Sequence, residues 1–540
     1  MTTTTVPARA TRREWIGLAV LALACLLYVM DLTVLHLAVP AMSADLQPSS
    51  AQLLWIIDIY GFLVAGSLIT MGTLGDRIGR RRLLMIGAGA FGLVSVMAAF
   101  STSAEMLIAS RALLGVAGAT LAPGTLSLIF HMFTDPRERS IAVGVWIGSF
   151  SAGSAIGPVV GGVMLEFFWW GSVFLLALPV MAALLILGPR VLPEYRDPEA
   201  GRLDLLSAGM SILALLAIIF GLKEIAQSGI GPLPIAAMAL GVVVGGLWVR
   251  RQQGLADPMI DVGLFRIRAF NSALVVNFLS IFTMVGYFLF VAQYLQLVVG
   301  LSPLEAGLWS LPSAIAFIVG SQLAPRIVQR MRPAHLIGGG LAVAAIGLVM
   351  LTRVGTTDGL PVLIASSVVI SIGLAPVFGL TTELIVGSAP PERAGAASGI
   401  SETAAELGGA LGIAILGSIG VAIYRGRVAA DLPTGVPADA AAAATDTLGG
   451  AVGAASRLPA DAAAGLLDVA RDAFVTGMQI TTGIAAAIAI GLAVLAFASL
   501  RSSRAGGVEP DESAASGGGS PREPDHGAVG VLAREACATE

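Results

Sequence analysis

The sequence predicts an all-α polytopic membrane protein, and three observations carry that expectation. Hydrophobic residues make up 56% of the 540-residue chain and charged residues only 12%, about half the roughly 25% charge of a soluble domain. Apolar runs near the ~20 residues a helix needs to cross a bilayer recur fourteen times, over 15–40, 52–73, 83–101, 104–128, 140–163, 171–189, 204–222, 232–250, 270–298, 304–323, 334–352, 359–386, 397–423 and 474–499. Basic residues are unevenly placed. If the N-terminus is cytoplasmic, then of 31 Lys+Arg only Lys223, Arg353, Arg425, Arg427, Arg457 and Arg471 fall on the opposite side, and Arg111 lies inside a span. That bias puts both termini in the cytoplasm. A miscounted span would scramble it. Lys223 is the only lysine, and the abundance of Arg, Ala and Gly points to a GC-rich bacterial genome, hence to a bacterial inner (cell) membrane.

In chain order, residues 1–14 form a polar N-terminal tail, and six spans with short loops fill 15–189. A charged segment, "GPRVLPEYRDPEAGRLD", opens a linker region at 190–269 that holds two additional spans. Six more spans fill 270–500 and include a long extracellular loop at 424–473, which is Ala-rich, broken by prolines and suited to a short helix. Residues 501–540 have the composition of a disordered tail. The order reads as six plus two plus six. A weak echo supports a repeat: "LQPSSAQLLW" before the second span resembles "LSPLEAGLW" before the tenth, and "DRIGRR" resembles "PRIVQR" after them. Parallel repeats of six-helix halves are a transporter architecture.

Three local patterns carry more. "GTLGDRIGRRRLL" at 72–84 suits a tight turn between spans 2 and 3. Gly72, Gly75 and Gly79 permit close backbone approach, and Asp76, flanked by Arg77 and Arg80, can pair with arginines or face a helix N-terminus. "GSFSAGSAIGPVVGG" at 148–162, which opens with Gly148, places Gly153, Gly157, Gly161 and Gly162 in one groove of span 5 at small-xxx-small spacing, with Pro158 able to bend the helix. "LIASRALLGVAGA" at 107–119 buries Arg111 in an apolar span. Either Arg111 faces the bundle interior or it snorkels to the interface.

Acids inside the apolar spans are the remaining signal. Asp31 lies in "MDLTVLHLAVP", Asp58 in "LLWIIDIYGF", and Glu402 and Glu406 stand four apart on one helix face in "SGISETAAELGGALG". A carboxylate at that depth is expensive and marks a proton or cation path, although Glu402, unlike the deeper Glu406, could instead lie solvated near the cytoplasmic end. Asp58, Glu402 and Glu406 have no cation near them in sequence. Trp55, Tyr60, Trp146, Tyr287 and Phe378 offer aromatic faces for a cation, although ordinary packing or an interfacial belt accounts for an aromatic equally well.

The patterns resemble a known family. The 72–84 stretch is similar to the signature of the major facilitator superfamily, with Arg81 at its Lys position. The 148–162 stretch is similar to its antiporter motif, and 107–119 to its span-4 pattern, with Leu114 in place of Gln. "MDLTVLHLAVP" resembles the span-1 motif of its 14-span drug:proton antiporters, with His36 in place of Asn. The resemblance covers residues ~12 to 500 and suggests a multidrug efflux pump of the quaternary ammonium compound resistance type, actinobacterial-like. It implies a major facilitator fold of two six-helix halves, with the two linker helices outside the transport core. It further implies proton-driven export of lipophilic cations (quaternary ammonium compounds, ethidium- and acriflavine-type dyes, fluoroquinolones) by alternating access, as a monomer. Asp31 and Arg111 would then be neighbouring charges of spans 1 and 4, and a proton on Asp31 would be tuned by Arg111.

The sequence contains no G-x-x-x-x-G-K-[ST] loop, no H-E-x-x-H and no Cys/His cluster. ATP-driven transport, a cofactor, a metal and nucleic-acid binding are therefore not expected. Cys25 and Cys537 fit neither a disulfide nor a metal pattern. Two rival readings stay open. One is an exporter of an endogenous lipid or metabolite on the same fold. The other, a membrane-embedded enzyme or sensor, would need a catalytic cluster or an attached domain.

Overall fold

A computed structural model describes residues 9–196, 204–255, 258, 262–389 and 394–500. All of them lie in one unit, Met1–Ala505. The expected N-terminal tail beyond Arg9 and the expected C-terminal tail lie outside the described residues, as does Arg393.

The described chain is helical, without strands. A first group comprises α1 (Arg12–Leu46), α2 (Ser50–Ile78), α3 (Arg80–Ala99), α4 (Ala104–Gly118), α5 (Ala122–Met132), α6 (Pro136–Phe167), α7 (Ser172–Leu175) and α8 (Ala177–Val191). A hairpin follows, α9 (Leu205–Ser228) and α10 (Pro232–Gly254). The last group comprises α11 (Arg268–Gln293), α12 (Pro303–Trp309), α13 (Leu311–Val328), α14 (Pro333–Leu351), α15 (Leu360–Gly387), α16 (Ala394–Gly412), α17 (Ser418–Asp431), α18 (Ala438–Asp446), α19 (Leu448–Ala455) and α20 (Ala460–Ser499). One-turn π segments, Tyr294–Val298 and Ile413–Gly417, continue α11 and join α16 to α17. The end of the bundle holding Arg12 and the α2–α3 turn is called proximal below, and the end holding the α1–α2 connection distal.

Twelve helical stretches are each long and apolar enough to span a bilayer. The other two of the expected fourteen positions are filled differently. The fourth is α4 and α5, broken at 119–121 just before Pro123. The fifth is the continuous 32-residue α6, in which apolar pieces Ile141–Phe150 and Ile156–Phe167 flank its Gly/Ser-rich centre. Outward-facing Leu93 on α3, Ile186 on α8, and Leu233, Val242 and Val243 on α10 give these helices an apolar outer surface, as a lipid environment requires.

Local signals set the helix ends. Thr11 caps α1 and Glu14 reaches back to it in a capping box. Ser49 with Gln52 does the same for α2, and Ser302 with Glu305 for α12. The sequence echo before spans 2 and 10 is thus one N-cap device used twice. Helix pairs then close through small residues: a Cβ on Gly153 would stand 2.5 Å from the Leu26 carbonyl oxygen, and one on Gly373 at the same distance from that of Gly340. Backbones approaching this closely make dispersion contacts that drive helix association in lipid.

Two parts differ from expectation. The 424–473 segment is mostly helix: α17 runs on to Asp431, α18 and α19 form a hairpin, and α20 begins at Ala460. At ~1.5 Å per residue, the 40-residue α20 is about twice as long as the bilayer core is thick. The hairpin seats on the distal end of α1, where Gly449 meets Ser43, and Arg425 pairs with Asp446 at 2.6 Å. The α9–α10 hairpin is not detached either. Ile219 of α9 is buried with Phe62 of α2, Ala410 of α16 and Ala414. At its proximal end Arg251 pairs with Asp204 at 3.0 Å and Gln252 donates to Ser207 at 2.8 Å. Burial alone would raise the Asp204 carboxyl, but hydrogen bonds from Ser207 and Arg251 bring it down to about 2.

Candidate functional site

Arg111 is fully buried, so it does not snorkel. Its Nη1 donates to Asp31 Oδ2 at 2.5 Å, its Nε donates to the Ile56 carbonyl at 3.2 Å, and its guanidinium lies 4.6 Å from the Tyr60 ring centroid. One cation therefore ties α1, α2 and α4 together. Gly115, one turn beyond Arg111, lets α4 approach closely enough, since a Cβ there would stand 2.5 Å from the Tyr60 carbonyl oxygen. Asp31 also borders a small apolar cleft lined by Leu27, Phe91 and Phe174. Arg111 Nη2 and His36 Nδ1 are buried with no hydrogen-bond partner among the described residues. An ion pair that leaves one guanidinium nitrogen unsatisfied is costly as a purely structural element.

A second acid connects to the first through two tyrosines. Tyr28 Oη donates to Glu406 Oε1 at 2.5 Å, joining α1 to α16. The Tyr28 and Tyr60 rings lie 6.1 Å apart. Side chains thus run from Asp31 through Arg111, Tyr60 and Tyr28 to Glu406 across the two helix groups. Glu402 lies one turn before Glu406 on the same helix. Tyr28 was not singled out from the sequence, although it stands three residues before Asp31 on the same face.

Asp58 corrects the sequence reading. Lys223 does not face the distal solution: its Nζ donates to Asp58 Oδ1 at 2.8 Å, with both side chains essentially unexposed. The same ammonium sits 3.8 Å from the Trp55 ring centroid. Asp58 has a cation after all, supplied from α9, 165 residues away in sequence. The α9–α10 hairpin therefore supplies a buried charge to α2.

The α2–α3 turn is held within its own helix group. Asp76 pairs with Arg80, one turn later, at 2.5 Å. Arg81 pairs with Glu194 at 3.4 Å and donates to the Leu192 carbonyl at 3.0 Å, and the Arg80 N–H donates to the Tyr195 carbonyl at 3.0 Å. Arg77 is exposed. Gly79 closes α2 with φ of +110°, and a Cβ there would collide with the Glu194 carboxylate. Gly79→Ala should destabilise the protein by about 1–3 kcal/mol, seen as a lowered melting temperature in detergent. Adding Glu194→Ala should recover only the steric part of that loss.

In the 148–162 stretch, Gly153, Gly157 and Gly161 pack α6 against Leu26, Thr33 and Val34 of α1. Gly162 meets the Pro303 carbonyl oxygen, and Gly307 meets that of Pro158, joining α6 to α12. The motif makes contacts both within and between helix groups. Gly148, at the start of the stretch, has open space where a Cβ would stand.

The candidate aromatics divide. Trp55 and Tyr60 face cations, but these are the protein's own Lys223 and Arg111. Trp146 Nε1 donates to Thr125 Oγ1 at 3.0 Å and stacks edge-on with Phe150. Phe378 packs against Phe317, and Tyr287 is buried and stacked on Phe288. No group of three or more metal-ligating side chains occurs among the described residues.

Comparison with known proteins places this arrangement in a family. The model of the Major Facilitator Superfamily matches residues 21–413. The chain is 45% identical to multidrug efflux pump LfrA of Mycolicibacterium smegmatis, over 92% of this chain and 98% of that one. It is 37% identical to methyl viologen resistance protein SmvA of Salmonella typhimurium, over 89% and 97%. The tetracenomycin C resistance and export protein of Streptomyces glaucescens is 31% identical over 94% and 95%. Among solved structures, a bacterial homologue of the human lysosomal transporter Spinster, inward-facing and unoccupied, shares the fold with a TM-score of 0.62 at 17% identity, covering 92% of this chain and 99% of that one. The chain belongs to the major facilitator superfamily and is a multi-pass membrane transporter, not an enzyme.

Proposed function

We propose that the protein is a proton-coupled exporter of lipophilic cations, working by alternating access as a monomer in the bacterial inner membrane with both termini cytoplasmic. One observation carries the reading: the buried run from Asp31 through Arg111, Tyr60 and Tyr28 to Glu406 joins ionisable groups on either side of the seam between helix groups. A proton that neutralises Asp31 removes the partner of Arg111. A proton on Glu406 weakens its hold on Tyr28, which is a link between the groups. Proton occupancy and the packing of the two groups therefore bias one another, as coupling requires. Relatives support the cargo: one is named a multidrug efflux pump and another for resistance to methyl viologen, a bipyridinium dication.

On this reading α1–α8 and α11–α20 are the two six-helix halves, with α9–α10 inserted between them. Hydrogen bonds that join the halves among the described residues, Tyr28–Glu406, Gln296–Leu37, Ser50–Asp446 and Arg425–Ser50, lie at mid-membrane or toward the distal end. With a cytoplasmic N-terminus, a distal seal corresponds to the inward-facing arrangement. Asp76, Arg77 and Arg80 then lie where the cytoplasmic side must close in the other state, and the small residues of α6 supply the close α6–α1 and α6–α12 contacts of the present one.

The test is ethidium efflux from cells or vesicles under an imposed proton gradient, with wild type beside Asp31→Asn. Uncoupler-sensitive efflux in wild type that is lost in the variant supports the reading. Efflux that survives in Asp31→Asn moves the proton site to Asp58, Glu402 or Glu406. No ethidium movement in wild type overturns the cation reading in favour of an endogenous lipid or metabolite.

A further inference from the structure

The Asp58–Lys223 pair has the composition of an occupied ligand site. A carboxylate and an aromatic face around an ammonium is the chemistry by which proteins hold organic cations. Here the cation is tethered: Lys223 Nζ lies 2.8 Å from Asp58 Oδ1 and 3.8 Å from the Trp55 ring centroid. The other carboxylate oxygen, Asp58 Oδ2, is buried without a hydrogen-bond partner among the described residues. A buried pair kept only for stability would be expected to satisfy its remaining lone pairs, and an apolar replacement would serve as well or better. This pair leaves acceptor capacity unused.

The position of α9 makes the tether movable. α9 lies across the seam, packing Ile219, Leu215 and Leu216 against Phe62 and Leu63 of α2 and against Leu407, Ala410 and Leu411 around α16. Gly66 of α2 lets it approach closely, since a Cβ there would stand 2.6 Å from Ile212. When α2 and α16 move relative to one another, α9 cannot stay in register with both. Either the ammonium follows Asp58 or it withdraws. Lys223 also lies only five residues before the end of α9 at Ser228, within reach of the distal interface for a four-carbon stem.

We propose that Asp58 and Trp55 form a binding site for a monovalent organic cation, that the Lys223 ammonium fills it in this state, and that α9 is thereby a built-in competitor of the transported cation. The proposal rests on the cation-exporter reading and adds to it a residue and a helix pair with a stated job. A tethered ammonium acts at an effective concentration set by its short reach, in the millimolar range or above. Its removal should therefore tighten binding of a free cation substantially.

The experiment uses the full-length purified protein and calorimetric titration with benzyltrimethylammonium. Lys223→Ala is expected to bind the probe at least about tenfold more tightly than wild type, and Asp58→Asn added to Lys223→Ala should abolish that gain. If Lys223→Ala does not fold, Lys223→Gln, which donates to the Asp58 carboxylate without filling the site with charge, is expected to show the same tightening. Equal affinity in wild type and the lysine variant, with a lowered melting temperature, overturns the proposal and leaves the pair a structural pin. Ethidium efflux by wild type, measured in parallel, separates the two readings. If efflux is present and the titrations show no gain, only the competitor proposal fails. If efflux is absent the exporter reading fails, and the titrations alone decide the site.

Discussion

Replacing Arg111 with methionine is expected to abolish proton-driven efflux and to cost about 3–5 kcal/mol of stability, the loss seen when one partner of a buried ion pair is removed. The magnitude follows from what Arg111 touches: the Asp31 carboxylate at 2.5 Å, the Ile56 carbonyl at 3.2 Å and the Tyr60 ring face. Without it, Asp31 is a carboxylate in an apolar cleft with no cation, and α4 loses its polar tie to α1 and α2. Asp31→Asn combined with Arg111→Met separates the two consequences. Both side chains are then neutral, so the double variant should regain most of the lost stability, read as a melting temperature in detergent. It should regain none of the uncoupler-sensitive ethidium efflux, because no group remains there to carry a proton. A double variant that transports at the wild-type rate would make the pair a structural element and move coupling elsewhere.

The same residues show what a sequence can reveal. Asp31 and Arg111 were legible because a charge in an apolar run is conspicuous wherever its partner lies. The glycines of α6 were legible because helical spacing alone places Gly153, Gly157 and Gly161 on one face. Lys223 was not. It stands near the end of an apolar run, where a lysine ordinarily reaches for water, and its partner is on a helix remote in sequence. Nothing in the sequence around Asp58 announces a cation. Nor does an apolar hairpin such as α9–α10 carry any signal of which seam it fills. The 424–473 sequence suits one short helix but does not show the pair α18 and α19, because Ala-rich stretches broken by proline promise helix only when something packs against them, here the distal end of α1. The shared Ser…Gln and Ser…Glu boxes before α2 and α12 were visible as an echo but not as capping, since that depends on where each helix starts.

The link between Tyr28 and Glu406 should show a coupling that neither residue shows alone. The hydrogen bond runs from α1 to α16, so it exists only while the seam between the helix groups is closed at that level. Tyr28→Phe removes the donor and keeps the ring near Tyr60; Glu406→Gln keeps a hydrogen-bonding side chain and removes the ionisable group. If the bond holds the present state, Tyr28→Phe should shift the population toward the other state by an amount near that of a hydrogen bond to a charged group, about 1.5–3 kcal/mol, or roughly 10- to 150-fold. Double electron–electron resonance between spin labels on the proximal ends of α2 and α13 would report that shift. Glu406→Gln should give a shift of the same sign and also remove a pH dependence of the distances, which Tyr28→Phe should retain. The double variant should shift the population little beyond Tyr28→Phe alone, since that substitution already removes the one bond that Glu406→Gln weakens. Additive shifts would mean that the two residues act through separate partners, and the run from Asp31 to Glu406 would then end at Tyr28.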